Sequence, residues 1–414
     1  MKIKMYKRVL YFLIAACATI AIAHSQEPGK VTFNGYLSGM PQVAWNTASV
    51  DTISLFERQE HYLLHNRMNF HWYPSDEITG SVQFRNQVMY GDFTRDAGFE
   101  TGFETESYFL PLTFYYTYGD AGLVSISADR AWLQYTHDNL ELKVGRQRIN
   151  WGQTFVWNPN DIFNAYNFFD FDYAERPGAD AARVIYYPNY TSTIEVAAKL
   201  DSASNLTAAG LYRFNTQGVD IQFIGGYYSQ TSKSLSADNN PDSDWLGGLG
   251  ITGDYKGVSI RTEATYMQPT AESNSKDDLF LWSLGLDYSF KNELYLSSEF
   301  FYSSRVDPVL VGGGGIMDLY SGPLTVKNLA FAKYNAFAQG SYPITPIFKV
   351  TLSGMIFTDE QLTGFFIGPY LDYSLLDNLD LALYFQFFNS KINVLGYELK
   401  SSTSFAFLRL KWSF

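Results

Sequence analysis

The sequence holds one cysteine and five histidines, and none of its uncharged apolar runs reaches the length of a membrane helix. A spanning helix needs about 20 such residues. The longest run here, Val9 to Ala23, is shorter and occurs once. A bundle of membrane helices is therefore excluded, and a mean hydropathy of −0.15 is too polar for one in any case. The lone cysteine, Cys17, excludes a disulfide framework within the chain. Charge is also scarce, at 17% of 414 residues. Aromatic residues are plentiful, with 33 Phe, 31 Tyr and 8 Trp beside 32 Gly. Many aromatics, many glycines and little net hydrophobicity combine in the transmembrane β-barrel.

The apolar run sits behind Lys2, Lys4, Lys7 and Arg8 and ends in Ala21-Ile22-Ala23, which reads as a secretory signal peptide over residues 1–23. Cleavage is expected after Ala23, with Ser25 as the other candidate. The stretch Ile14-Ala15-Ala16-Cys17 offers a second reading, lipoprotein processing at Cys17. Cleavage after Ala23 leaves 26 basic against 42 acidic residues, a formal charge of −16, and removes the only thiol. Residues 24–30 then form a short periplasmic N-terminus, and residues 31–414 form one barrel domain.

Strict period-two alternation dominates after residue 30 and repeats in segments of about 10 residues, the length that crosses a membrane as a tilted strand. Phe280, Trp282, Leu284, Leu286, Tyr288 and Phe290 alternate with Leu281, Ser283, Gly285, Asp287 and Ser289. Leu379, Leu381, Leu383, Phe385 and Phe387 do the same against Asp380, Tyr384 and Gln386. The pattern predicts an all-β, antiparallel up-and-down barrel of about 18 strands, with 16 as the alternative. Predicted strand starts fall near residues 31, 61, 78, 124, 140, 181, 193, 206, 219, 245, 258, 279, 293, 329, 347, 364, 378 and 403. Every second connection is a short turn, such as His137-Asp138-Asn139 or Lys256-Gly257. The others are long and more acidic, such as Asn150 to Asp180 and Arg305 to Asn328. Short periplasmic turns and long extracellular loops place the barrel in the outer membrane of a Gram-negative cell, surrounded by lipid and lipopolysaccharide.

Two segments resemble known proteins. The C-terminal run Ser404-Phe405-Ala406-Phe407-Leu408-Arg409-Leu410-Lys411-Trp412-Ser413-Phe414 looks like the last strand of bacterial outer-membrane barrels. That resemblance implies that Trp412 and Phe414 are read by the barrel-assembly machinery. The second comprises Gly145-Arg146-Gln147-Arg148-Ile149-Asn150-Trp151-Gly152, then Trp157-Asn158-Pro159-Asn160-Asp161-Ile162-Phe163-Asn164, then Glu175-Arg176-Pro177-Gly178-Ala179-Asp180-Ala181. It is similar to a segment of porin-like outer-membrane proteins related to alginate-export-type barrels. It implies an 18-stranded channel and carries no substrate.

Alternation directs Arg67, Arg85, Arg130, Lys143, Arg183, Lys199, Arg261, Lys333, Lys349, Arg409 and Lys411 toward the lumen. The inward acids are Glu141, Glu195, Asp220, Glu263, Asp287, Glu299, Asp372 and Asp380. A mildly basic wall would favour anions or polar neutral solutes; cross-strand pairing of these charges would cancel the preference. Arg146 and Arg148 fall on the lipid side if the phase of Leu140, Leu142 and Val144 continues, so either the strand bulges at Gly145 or they lie at the rim. The loop that follows carries Trp151, Phe155, Trp157, Phe163, Tyr166, Phe168, Phe169, Phe171 and Tyr173. A loop so aromatic is expected to fold into or across the barrel and, with Arg146, Arg148, Asp161 and Arg176, to help form a constriction. Its rings either stack on sugars or pack the loop against the wall.

Asp238, Asn240, Asp242 and Asp244 have the spacing of half a calcium loop, but no bidentate Glu follows, and a solvated acidic loop is the simpler reading. His61, His65 and His71 share one face; residues four apart on a strand are about 13 Å from each other, too far to bind one metal. The glycine run at 312–315 lacks the Lys-Ser/Thr of a phosphate loop. No serine-centred motif suits a hydrolase. The sequence thus points to a cofactor-free, non-enzymatic channel for small hydrophilic solutes, with anionic ones as one option. A polysaccharide export pore and a barrel-anchored surface-binding protein are the alternatives, and nothing suggests nucleic acid.

Overall fold

Alternating side chains become paired strands along almost all of the described residues. The structure, a computed structural model, describes residues 31–50, 53–95, 108–165, 175–230, 241–271, 273, 277–306, 325–394 and 396–414. The expected signal peptide with Cys17, residues 24–30, Asp238, Asn240, the 312–315 glycine run and the aromatic residues of 166–174 lie outside the described residues.

The strands are β1 (Val31–Val50), β2 (Ile53–Trp72), β3 (Ile78–Gly91), β4 (Thr113–Tyr118), β5 (Gly122–His137), β6 (Leu140–Gln147), β7 (Ala179–Asn189), β8 (Ser192–Leu200), β9 (Leu206–Thr216) and β10 (Val219–Gln230). They continue as β11 (Asp242–Tyr255), β12 (Val258–Pro269), β13 (Leu279–Ser289), β14 (Tyr295–Ser303), β15 (Tyr334–Thr345), β16 (Phe348–Thr358), β17 (Leu362–Leu376), β18 (Leu379–Val394) and β19 (Tyr397–Ser413). Eighteen of them close an antiparallel ring in chain order, with β3 pairing directly with β5 and β19 returning to β1. Closure leaves no sheet edge for lipid to face. The last rung is a reciprocal pair, Gly35 N–H to Phe414 O and Phe414 N–H to Gly35 O, both 3.0 Å. A Cβ at Gly35 would lie 2.1 Å from the Arg67 carbonyl oxygen and 2.9 Å from the Phe414 ring, so the glycine admits both the neighbouring strand and the terminal aromatic.

The expected strand set is present, with shifted ends. The second strand starts at Ile53 rather than 61 and the last at Tyr397 rather than 403, because their loop ends carry polar residues without alternation. The strand expected at 329 starts at Tyr334 instead. Turns at one end are tight: Gln217-Gly218 (φ 51° and 81°) and Lys256-Gly257 (φ 52° and 84°) have two successive left-handed residues, the turn that matches the twist of a hairpin.

The outer face is apolar all the way round, with Leu64, Phe70, Leu133, Val144, Phe223, Leu249, Ile356, Ile367, Phe387 and Leu408 exposed. Only a hydrocarbon surrounding makes such a surface stable, so the fold is a transmembrane barrel.

The nineteenth strand, β4, was not legible from alternation. Residues 122–127 of β5 pair with β3 on one edge and β4 on the other, whereas residues 131–137 pair with β6 on that second edge. β4 therefore stands in the wall position above β6, where β6 ends at Gln147 and the chain turns inward. Gly145 marks that departure: its φ is +116°, and an added Cβ would lie 2.2 Å from the Ala131 carbonyl oxygen. The alternation breaks there, so Arg146 is fully buried instead of facing lipid. Gly145→Val is expected to destabilise the barrel by about 1–3 kcal/mol, read as a lower denaturant midpoint. Gly39→Ala, which meets nothing within 4 Å, should leave the midpoint unchanged.

Candidate functional site

Residues 148–165 enter the barrel and lie against the inner faces of β8 to β14. Ile149, Trp151, Val156, Trp157, Asn160, Asp161, Ile162 and Phe163 are all buried. A segment without regular structure carries N–H groups that no ladder satisfies, and burying them unpaired would be costly. Inward glutamates supply the acceptors. Glu263 on β12 takes Thr154 N–H (2.6 Å), Thr154 Oγ1–H (3.0 Å) and Asn160 N–H (3.0 Å), together with the N–H of Gln153. Glu299 on β14 takes the successive N–H groups of Phe155 (2.8 Å), Val156 (3.0 Å) and Trp157 (2.7 Å), plus the Ser283 hydroxyl at 3.0 Å. Consecutive N–H groups converging on one oxyanion form a backbone nest, here filled by the protein's own carboxylate. Glu195 on β8 accepts the Trp151 indole N–H at 2.6 Å and is held by Arg183 through two bonds of 2.6 and 2.8 Å.

Packing completes the latch. Trp157 stacks on Phe301 with centroids 5.6 Å apart, and Trp151 meets Phe163 edge-on at 4.9 Å. Asn160 Nδ2 donates to Leu249 O at 3.0 Å, and the Thr265 hydroxyl lies 2.8 Å from Pro159 O and 2.7 Å from Asn160 Oδ1. Gly248 and Gly250 on β11 make this approach possible, since added Cβ atoms would sit 2.7 Å from Asn160 Oδ1 and 2.8 Å from Gln153 Oε1.

The arginines of the motif form a brace beside the latch. Arg146 donates to Asp180 at 2.9 and 3.0 Å and to Ala128 O at 3.2 Å, and its guanidinium lies 3.9 Å over the Tyr108 ring. Asp180 Oδ2 accepts Leu110 N–H at 2.7 Å while Arg146 donates to Leu110 O, so this ion pair grips both backbone groups of the residue that leads into β4. Arg130 donates to Glu175 O (3.0 Å) and Arg176 O (2.6 Å), and Arg67 pairs with Asp129 at 2.7 Å. Motif residues Arg146 and Asp180 thus fasten the wall patch, and Arg130 holds the end of the inward loop.

Seven of the eleven basic residues assigned to the lumen by alternation divide into two sets. Arg67 and Arg130 are buried in the brace, Arg183 is bound to Glu195, and Arg261 is bound to Asp287 at 2.7 Å and covers Phe155 at 4.3 Å. Arg85, Lys143 and Arg409 remain partly exposed on the inner face, Lys143 lying 3.9 Å over Trp132 and Arg409 5.4 Å over Tyr384. In the inward loop, Trp151, Trp157 and Asp161 are buried, while Arg148 and Arg176 are partly exposed.

A second infolded segment, residues 325–333, was not anticipated. Val326 and Ala332 are buried, Lys327 forms a buried ion pair with Asp244 on β11, and Phe331 packs edge-on against Phe357 of β16 at 5.2 Å. The signal was Leu329-Ala330-Phe331-Ala332, an apolar run that does not alternate. Asp244 is thereby engaged by a lysine, and no group of three or more potential metal ligands occurs among the described residues.

Asp161 stands apart from the latch. Neither carboxylate oxygen has a hydrogen-bond partner among the described residues, and burial raises its pKa to about 7 against the opposing pull of Arg148, Arg176 and Lys199. A raised acid pKa favours the protonated fold, so its contribution is present below the ordinary value of 3.8 and is lost as pH rises through about 7. Asp161→Asn is expected to flatten the fall in denaturant midpoint between those pH values. Glu263→Ala leaves the N–H groups of the inward loop without their acceptor, a loss of about 2–5 kcal/mol. The expected readout is faster chymotrypsin cleavage at Trp151 and Trp157 in an otherwise intact barrel.

Comparison with solved structures places the fold. The chain is similar to OccAB1 of Acinetobacter baumannii at 9% identity, covering 94% of this chain and 99% of that one with a TM-score of 0.52. It is also similar to OpdQ of Pseudomonas aeruginosa at 11% identity, covering 92% and 97% with a TM-score of 0.51. At such identities the likeness concerns the fold, an 18-strand barrel. No curated protein matches the sequence. Neither the matched structures nor the matched family carries the alginate-export relation suggested by the motif. The family match spans residues 113–334, over half of the chain, and the protein therefore belongs to the family described as protein of unknown function (DUF1302).

Proposed function

We propose that the protein is a porin-like channel in the outer membrane of a Gram-negative cell, passing small hydrophilic solutes with a preference for anions. The observation that supports this reading is the one-sided latch. The inward loop is fastened to β8 through β14, while the inner face of β2, β3, β5 and β6 near the short turns carries Asn69, Gln83, Arg85, Gln134, Glu141 and Lys143, all partly exposed. Arg409 and Lys411 on β19 continue that wetted arc. Closed barrels of 18 strands are too wide for side chains alone to fill. An infolded segment on one wall narrows the lumen to an eccentric path, and wall charge along it concentrates solutes of opposite sign. Neither step requires a cofactor or covalent chemistry.

The alternative of a polysaccharide export pore rests on the motif's resemblance to alginate-export-type barrels. An export pore for a polymer needs a wide, uninterrupted lumen, and the two infolded segments argue against it. Under the channel reading, residues 1–23 are the signal peptide and Trp412 and Phe414 engage the assembly machinery. In planar bilayers with a potassium chloride gradient, the purified protein should conduct and give a reversal potential of the anion-preferring sign. Arg409→Gln with Lys411→Gln should move that potential toward zero, whereas Arg183→Gln, at a paired site, should alter it little. A cation-preferring reversal potential overturns the anionic preference, and absence of conductance overturns the channel.

A further inference from the structure

The outer face of β1, β2 and β3 carries two side chains that hydrocarbon cannot satisfy. On these strands the exposed Tyr62 and Tyr90 are direct partners toward the loops, and the exposed Phe70 and Trp72 lie toward the short turns, so aromatic residues mark both borders of the apolar band. Asn66 sits four residues from Tyr62 and four from Phe70, and its direct cross-strand partner is Asn86, four residues from Tyr90. The pair therefore stands at mid-depth. Both amides point outward and are partly exposed, because the residues that alternate with them, His65, Arg67 and Gln87, are buried on the inner face.

Their hydrogen bonding is incomplete. Asn86 Nδ2 donates to Asn66 Oδ1 at 3.1 Å, and Asn66 Nδ2 donates to Tyr36 O at 3.2 Å. An amide side chain has two N–H donors and one carbonyl acceptor, so one N–H of each residue is left over, and Asn86 Oδ1 receives no donor from the described residues. Thr262, an outward hydroxyl on β12, is satisfied within the wall: it donates to Ser283 O at 2.9 Å and accepts the Trp282 indole N–H at 2.9 Å. Among the described residues no other side-chain amide lies on the outer face between the aromatic borders. Unmatched amide groups in hydrocarbon are costly.

We propose that this face is an interface between two copies of the chain, paired about a twofold axis along the membrane normal with Asn66 and Asn86 at its centre. Acyl chains hold neither donor nor acceptor, so at this depth a second protein completes the amides. An axis along the normal brings equal depths together, and a twofold axis sets a patch against itself. Each barrel then offers what the other lacks, an amide N–H for Asn86 Oδ1 and a carbonyl for the spare N–H groups. A head-to-tail ring would instead lay the pair against an apolar part of the wall. Gly39, on β1 beside Leu64, leaves open space where a Cβ would meet nothing, which lets the second wall approach closely. The inference rests on the transmembrane barrel and is independent of conduction.

Energy transfer between dye-labelled copies in phosphatidylcholine vesicles, at stepped protein-to-lipid ratios, tests the pairing. Residues 31–414 contain no cysteine, so Asp76→Cys in the exposed turn between β2 and β3 gives a single labelling site below the pair. Transfer should rise with protein density and saturate as a dimer does. Asn66→Leu and Asn86→Leu, made separately so that one can fail to assemble without loss of the test, should each weaken association about tenfold. Heat-dependent gel migration, which reads barrel folding, should be unchanged in both. Ser298→Leu, at an exposed position of β14 away from this face, should leave association unchanged. Transfer no greater than random crowding at every density, or equal association in both leucine variants, overturns the inference. A barrel that stays monomeric and retains lipopolysaccharide only when Asn86 is present assigns the face to lipid and overturns it as well.

Discussion

Two buried carboxylates, Glu263 and Glu299, organise the interior. A barrel of this strand number encloses more space than its inward side chains can fill, and a loop entering that space brings unsatisfied backbone N–H groups with it. Each glutamate resolves both problems. It is an inward charge that would be costly if dry and unpaired, and it collects N–H groups that would otherwise be orphaned. Loop and wall therefore satisfy one another. The stacking of Trp157 on Phe301 and the close approach at Gly248 and Gly250 follow from a loop held at that depth.

The same constraint explains the charge census. Counted along the sequence, inward basic residues outnumber inward acids, which suggests a basic pore. In the structure much of that excess is absorbed: Arg183 stabilises Glu195, Arg67 and Arg130 join the brace around Asp129, Glu175 and Arg176, and Lys199 donates to Phe163 O at 2.8 Å. What remains partly exposed is a smaller set on one arc, so the charge of the inner face depends on position more than on the total count.

Strand number and facing were legible because alternation is imposed by a single boundary, lipid outside and water or protein inside. The loop from Asn150 was legible as an inward segment because nine aromatic residues have no stable place in water. The identity of its anchors was not. Glu195, Glu263 and Glu299 read as ordinary lumen acids, since a carboxylate that receives backbone N–H groups has the same sequence signature as one facing solvent. β4 was hidden for a related reason: Thr113–Tyr118 is short and aromatic on both faces, and its place depends on where β6 stops. The 325–333 segment carries too few residues to show a period, and its depth depends on Lys327 meeting Asp244 across the barrel.

The patch strand gives the wall an uncommon property. β6 leaves the ring to become the inward loop, and β4 covers the position it vacates, with Arg146 and Asp180 holding Leu110 at the junction. Arg146 and Asp180 flank the inward loop in sequence, so one ion pair borders both the bore and the seal. The entry of the inward loop and the seal of the wall thus share one buried ion pair. A single guanidinium therefore stands where the chain leaves the wall and where the wall is made whole again, so Arg146 serves closure of the barrel rather than its interior.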